Sequence, residues 1–153
     1  SVIPTTCSSD WSKRSNRTAP EPRVNGRFVA AGESGDSFLA QLDGVLDAAH
    51  ELNVEDPTLA LFVGTVRTDM RRFPEIAERL ERSVAARDEF FVSIVDRGVA
   101  SGEIRADDRE LVVEFIRVLL IGLTEGGADT SERHRLAIDS IRALLRGQLI
   151  RVP

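Results

Sequence analysis

Two histidines are the side chains of this chain most suited to acid–base or metal chemistry at neutral pH. His50 and His134 are far apart in sequence, and each lies among charged neighbours near the end of a predicted helix, so we expect both at the surface. Neither has another histidine, cysteine or carboxylate at a metal-ligand spacing that stands out from the many charged residues around it. Asp107-Asp108 is best explained as a helix cap, and the chain has no glycine-rich phosphate loop, no nucleophile elbow and no tyrosine. The sequence therefore predicts a protein that is not an enzyme, with no catalytic residues, metal or cofactor.

Apolar side chains on three consecutive predicted helices are better candidates for function, as the walls of a ligand pocket. Phe90 and Phe91 are adjacent, so on a helix they point about 100° apart and cannot both enter one small patch of core. Methionine and aromatic rings suit an adaptable apolar ligand. A solid core without a cavity remains the alternative. The predicted pocket comprises Phe62, Val66, Met70, Arg87, Phe90, Phe91, Phe115 and Leu119.

Arg87 is the charged member of this set, on the same helical face as Val84 and Phe91. Its guanidinium has two possible roles. It pairs with an acidic group of a ligand, or it extends to water or a nearby carboxylate, as long arginine side chains commonly do.

A long helix over residues 74–98 must position three of these side chains, Arg87, Phe90 and Phe91. Its apolar residues step by three and four, Pro74 suits the first turn, and Gly98 and Gly102 suit the far end. The same periodicity predicts four further helices and no strand. The sequence therefore predicts an all-α, five-helix antiparallel bundle. The four other helices begin near Ser34 or Asp36, at Asp56-Pro57, at Asp107 and at Asp129, and end near Asn53, Phe73, Leu123 and Leu149.

The composition is that of an ordinary soluble globular protein, with 42% apolar and 29% charged residues. Apolar runs such as residues 118–121 are far too short to cross a bilayer, so we expect no membrane association. A net charge of −5 argues against nucleic acid binding over a broad helical face. Cys7 is the only cysteine and no signal peptide is visible, so a cytoplasmic location is expected.

Residues 1–33 differ from the rest of the chain, being rich in Ser, Thr, Pro and Arg without a helical or alternating period. They predict a polar, basic, poorly ordered arm in front of a helical domain over residues 34–150. The alternative is a basic tail that contacts DNA phosphates, with Trp11 stacking on a base.

The order of the helical segments resembles the C-terminal domain of tetracycline-repressor (TetR) family transcription regulators. A helix with an Asp-Pro start leads into RTDMRRFPEIAERL (67–80), and a long helix ends in DRGVASGEIRADDREL (96–111). The very apolar VLLIGL (118–123) and a last amphipathic helix follow. The similarity covers residues 34–150. The helix-turn-helix that precedes this domain in the family has no readable counterpart in residues 1–33.

The resemblance implies the effector-binding and dimerisation module of a transcriptional repressor. Its effector would be a small apolar or amphipathic molecule, and it would contact DNA only through a helix-turn-helix that this sequence does not show. A ligand-free helical dimer scaffold or protein-interaction module is the alternative.

The resemblance also implies a homodimer through the last two helices, and the residues favour this independently. Helix 107–123 is apolar nearly all round, more than one small core can cover. The alternative is that this helix is the buried centre of a monomer. The predicted interface comprises Ile116, Leu120, Leu123, Ala137, Ile141, Leu144 and Leu145.

Overall fold

Six α-helices form the part of the chain that the computed structural model describes, which is residues 20–126 and 130–149. These residues contain no strand, and the predicted all-α class is confirmed. No helix among them is both long and apolar enough to span a bilayer. The helices are α1 (Pro20–Glu33), α2 (Phe38–Glu55), α3 (Thr58–Arg72), α4 (Pro74–Ser101), α5 (Arg109–Gly126) and α6 (Ser131–Leu145), with a 3-10 turn at Ala106–Asp108 before α5.

Helix α1 was not predicted, and the expectation of a poorly ordered arm is wrong for residues 20–33. The helix packs on α2 and α4. Gly44 of α2 permits this approach, because a Cβ there would lie 2.7 Å from the carbonyl oxygen of Ala31. Asn25 donates to the carbonyl oxygen of Ser83 at 3.3 Å, which joins α1 to α4. Residues 1–19, including Trp11 and Cys7, lie outside the described residues.

The long helix α4 is the longest element, as predicted, but it continues past Gly98 to Ser101. Gly98 lies within the helix, and its lack of a side chain leaves room for Ile104, whose Cδ1 would lie 2.7 Å from an added Cβ. Gly102 ends the helix with φ of 81°, a left-handed conformation that glycine adopts without steric cost.

The start of α2 is held from two sides. Ser37, rather than the predicted Ser34 or Asp36, is the N-cap, and its hydroxyl accepts from the amide of Ala40 at 3.1 Å. The carboxylate of Glu103 accepts from the Phe38 amide at 2.9 and 3.0 Å, and this hydrogen bond lowers the pKa of Glu103. The turn after α4 is thereby tied to the start of α2.

The caps predicted for the last two helices also differ. A 3-10 turn without a side-chain cap occupies residues 106–108, where a capping box at Asp107 and Glu110 was expected. Thr130 caps α6 by accepting from the amide of Arg133 at 3.1 Å. The predicted cap Asp129 lies outside the part of the chain that is described.

The core lies between α2, α4, α5 and α6, and α2 and α4 contribute its most buried side chains. Arg142 of α6 joins this helix to α2 at the edge of the core, with Nε 2.9 Å from Asp43 Oδ1 and Nη2 2.6 Å from Asp47 Oδ1. The side chains that are almost completely buried are Leu42, Val45, Leu46, Ile94, Val95, Ile116 and Ile138.

Candidate functional site

A cavity of about 430 Å³ lies among the helices and is bordered by side chains from all six. Most of its wall is apolar. Phe91 of α4 forms part of it, buried against Phe28 of α1 with ring centroids 6.4 Å apart. The other apolar side chains that line it are Val24, Ala49, Leu52, Leu59, Val63, Met70, Val84, Val92, Val113, Ile116, Leu120, Ile121 and Leu123.

Polar side chains of α2, α5 and α6 also line the cavity. Asn53, in the last turn of α2, is 4% exposed, and its side-chain oxygen Oδ1 has no hydrogen-bond partner. His134 of α6 is also 4% exposed. Thr124, near the end of α5, uses its hydroxyl to donate to the carbonyl oxygen of Leu120 at 2.6 Å. Buried polar atoms are normally hydrogen-bonded, so the Asn53 oxygen is unusual.

Four arginines on three helices also line the cavity: Arg67 and Arg71 of α3, Arg87 of α4 and Arg117 of α5. Asp88 is the only carboxylate among the described lining residues, and it lies 3.9 Å from Arg87 Nε, at the limit of an ion pair. The arginines therefore outnumber the acidic groups that could neutralise them within the cavity.

The lining arginines are distributed along the helices. The short connection between α2 and α3 places Leu59 near Asn53, and α3 then runs along the cavity to Arg67 and Arg71. At about 1.5 Å per residue, these arginines lie roughly 12 and 18 Å further along the α3 axis than Leu59. The site is an apolar space whose wall also carries the buried Asn53 and His134 and four arginines.

His50 and His134 form a stacked pair, with ring centroids 5.7 Å apart and the two Nδ1 atoms 3.5 Å apart. The expectation that both lie at the surface is wrong, because His134 is buried and His50 half-buried. Burial lowers the pKa of His134, and the nearby His50 lowers it further. No group of three or more histidine, cysteine or acidic side chains able to hold a metal ion occurs in the described ranges.

The lowered pKa of His134 predicts loss of stability in mild acid. Its ordinary value is 6.5, and in the folded state the pKa is lower. Below this ordinary value the unfolded chain takes up a proton that the native state resists, so the free energy of unfolding should fall as the pH is lowered. Urea unfolding between pH 8 and pH 5 measures this decline.

The variant His134→Gln should show a smaller decline over this range. His50→Gln is the matched control and should retain most of it, because burial, the larger cause of the shift, is still present. An identical pH dependence in wild type and His134→Gln would contradict the assignment.

The predicted pocket residues separate into three groups. Met70, Arg87 and Phe91 line the cavity, while Phe62 and Val66 border a small adjoining hollow of about 50 Å³ together with Met70 and Arg87. The other three line neither space: Phe90 and Leu119 pack against the core, and Phe115 is exposed.

The residues predicted at the dimer interface are also divided. Ile116 and Leu123 are buried within the single chain, and Leu120 lines the cavity, so a partner subunit has little left to cover at these positions. Ala137, Ile141 and Leu145 are partly buried against the core. Leu144 is exposed.

Several cavity residues were not predicted. Val24 and Phe28 lie in the segment expected to be an arm, although their spacing of four is that of one helical face. Asn53 and His134 are polar residues near helix ends, where sequence alone favours the surface. Arg67 and Arg71 lie in the RTDMRR segment, which contains three arginines. This density of positive charge is the feature of the sequence that could have indicated them.

No protein-family model, curated protein or solved structure matches this chain. The fold and the site define a class only, an all-α domain with a cavity of ligand size between its helices. The resemblance to TetR regulators rests on the order of the sequence segments quoted above.

Proposed function

We propose that this domain is the effector-sensing and dimerisation module of a TetR-like transcriptional repressor. The observation that carries the proposal is the cavity of about 430 Å³. Small-molecule sites typically enclose about 300–1,000 Å³, are mostly apolar and carry a few polar groups that orient the ligand. This cavity has each of these properties.

The position of the cavity supports a sensing role rather than simple storage. Because all six helices contribute to its wall, a ligand that fills it makes contacts that depend on how the helices are arranged. A ligand shifts a conformational equilibrium only when it binds one arrangement more tightly than the other. In this proposal the favoured arrangement sets the separation of two DNA-reading heads, which are not among the described helices.

The proposed dimer is supported by apolar surface on α5 and α6. On α5 the exposed Leu111, Phe115 and Val118 follow one helical stripe, and the same stripe reaches Gly122. An added Cβ at Gly122 would meet nothing within 4 Å, so the backbone is open to close approach by another helix. On α6, Leu136 and Leu144 are exposed. A self-complementary contact between two copies would remove this surface from water.

Binding of a neutral apolar probe tests the sensing role. N-phenyl-1-naphthylamine is uncharged and becomes fluorescent in apolar surroundings, so we expect saturable binding to the intact chain. Val63→Trp should weaken this binding by about tenfold or more by filling part of the cavity.

Val54→Trp is the matched control, since Val54 is exposed and lines neither space. Absence of probe binding, or equal loss in the two variants, would contradict a ligand cavity. Together with a stable dimer, that result would favour the scaffold alternative.

A further inference from the structure

We propose that the adjoining hollow of about 50 Å³ binds the carboxylate group of a ligand whose apolar body fills the main cavity. The ligand is then an amphipathic monocarboxylate, and Arg67 and Arg87 hold its charged group. This inference rests on the proposed ligand-sensing function and adds the chemical class of the ligand.

The hollow is lined by residues of α1, α3 and α4 and shares much of its wall with the main cavity. Asn25 of α1 and Ser83 of α4 line only the hollow, and the Asn25 amide donates to the Ser83 hydroxyl oxygen at 3.2 Å. The volume exceeds the roughly 10–15 Å³ that one water molecule needs, so a head group of a few atoms fits. The residues that line both spaces are Val24, Leu59, Val63, Arg67, Met70, Val84 and Arg87.

The charge of the hollow is positive. Arg67 and Arg87 are the only ionisable side chains among its described lining residues, and both are half-buried. Arg67 forms no ion pair with a described residue, and Arg87 has only the 3.9 Å approach of Asp88. Because two like charges beside one small space repel each other, an anion that lies between them is attracted by both.

Helical spacing places the two arginines on the faces that line the hollow. Arg67 follows Val63 by four residues and Arg87 follows Ser83 by four, so each shares a helical face with another residue of the wall. The rest of the wall is mostly apolar, which lowers the local dielectric constant and strengthens the attraction between opposite charges. A guanidinium also presents its donors as a planar fork that matches a carboxylate. These properties favour a carboxylate over a neutral head group.

The other two arginines of the main cavity are poorer anion sites. Arg117 is exposed and already donates to Glu114 at 2.8 Å, so its charge is paired. Arg71 is exposed, and water weakens its attraction to an anion. Neither lines the hollow, so this pair is a matched control for Arg67 and Arg87.

Three probes with the same ten-carbon chain and different head-group charges test the proposal. Decanoate, decanamide and the decylammonium ion are each measured by displacement of N-phenyl-1-naphthylamine, below their micelle concentrations at pH 8. Decanamide has the planar head of the carboxylate without its charge. We expect decanoate to bind about tenfold more tightly than decanamide, and decylammonium to bind more weakly than decanamide.

Two double variants assign this preference to residues. Methionine keeps a long side chain and removes the charge, so Arg67→Met with Arg87→Met should lose most of the preference for decanoate over decanamide. Arg71→Met with Arg117→Met should keep the preference, because these two arginines line only the main cavity. Thermal unfolding checks that each variant is folded.

The outcomes distinguish this inference from the function on which it rests. If the naphthylamine binds but the wild type does not prefer decanoate to decanamide, the carboxylate assignment is wrong and the sensing function stands. This comparison needs no variant. A preference that survives in the Arg67 and Arg87 variant, or is lost equally in the control, also overturns the inference, because the anion then binds outside the hollow. If neither the naphthylamine nor any of the three probes binds, both proposals are wrong.

Discussion

Replacing Ile116 by alanine should lower the free energy of unfolding by about 2–4 kcal/mol, the range for truncating a large buried aliphatic side chain. Ile116 is only 1% exposed and belongs to the core formed with α2, α4 and α6. It also borders the cavity, so part of its surface already lacks a packing partner. The loss is therefore expected below the upper end of the range known for such substitutions. Urea unfolding at low protein concentration measures it.

Val118→Ala is the matched control, two residues further along the same helix. Val118 is 58% exposed, so its truncation should change the stability of the single chain by no more than about 0.5 kcal/mol. The sequence pattern predicted Ile116 at the dimer interface, whereas the structure buries it inside one subunit. If the two substitutions lower the free energy of unfolding by the same amount, Ile116 belongs at the dimer interface rather than in the core of one subunit.

The five helices of residues 34–150 were predictable because each has a clear apolar period and start or stop residues. Pro74 and Gly102, for example, lie at the two ends of α4 as expected. Helix α1 was not predictable in this way. Its glycines and prolines lower the intrinsic helix propensity, and its inward face is short. It is helical because it packs closely on Gly44 of α2 and on the surface of α4. These contacts depend on the tertiary structure and do not follow from the local sequence.

The candidate site was only partly predictable for a related reason. Helix α5 is apolar on most of its surface, so periodicity does not indicate which side faces the core, the cavity or solvent. The structure assigns Ile116 to the core, Ile121 to the cavity wall and Val118 to the surface. The sequence also gave no indication that His50 and His134 meet, because contacts between distant helices depend on the whole fold.

Helix α1, which was not predicted, forms one wall of the cavity. Val24 and Phe28 of α1 line it, and Phe28 packs against Phe91 on the opposite helix. A cavity deduced from residues 34–150 alone would be open on this side. Helix α1 therefore packs with the helices of residues 34–150, although the helical domain was expected to begin at residue 34.

Replacing Val118 by arginine should convert the proposed dimer into monomers. Val118 lies in the middle of the exposed stripe on α5, between Phe115 and Gly122, and two-fold symmetry would bring two copies of the new charge into one interface. Burying an unpaired charge in an apolar contact, twice, should raise the dimer dissociation constant by at least about 100-fold. Sedimentation velocity of both proteins from submicromolar to high micromolar concentration measures the shift.

The fold of the single subunit should survive this substitution, because the side chain of Val118 already faces solvent. The matched control is Val54→Arg, which adds the same charge at a similarly exposed valine on α2 and should leave the dimer intact. Dimers that persist in Val118→Arg would place the interface on another face, such as that of Leu136 on α6. A wild-type protein that sediments as a monomer at every concentration would remove dimerisation from the proposed function and leave the ligand cavity as its basis.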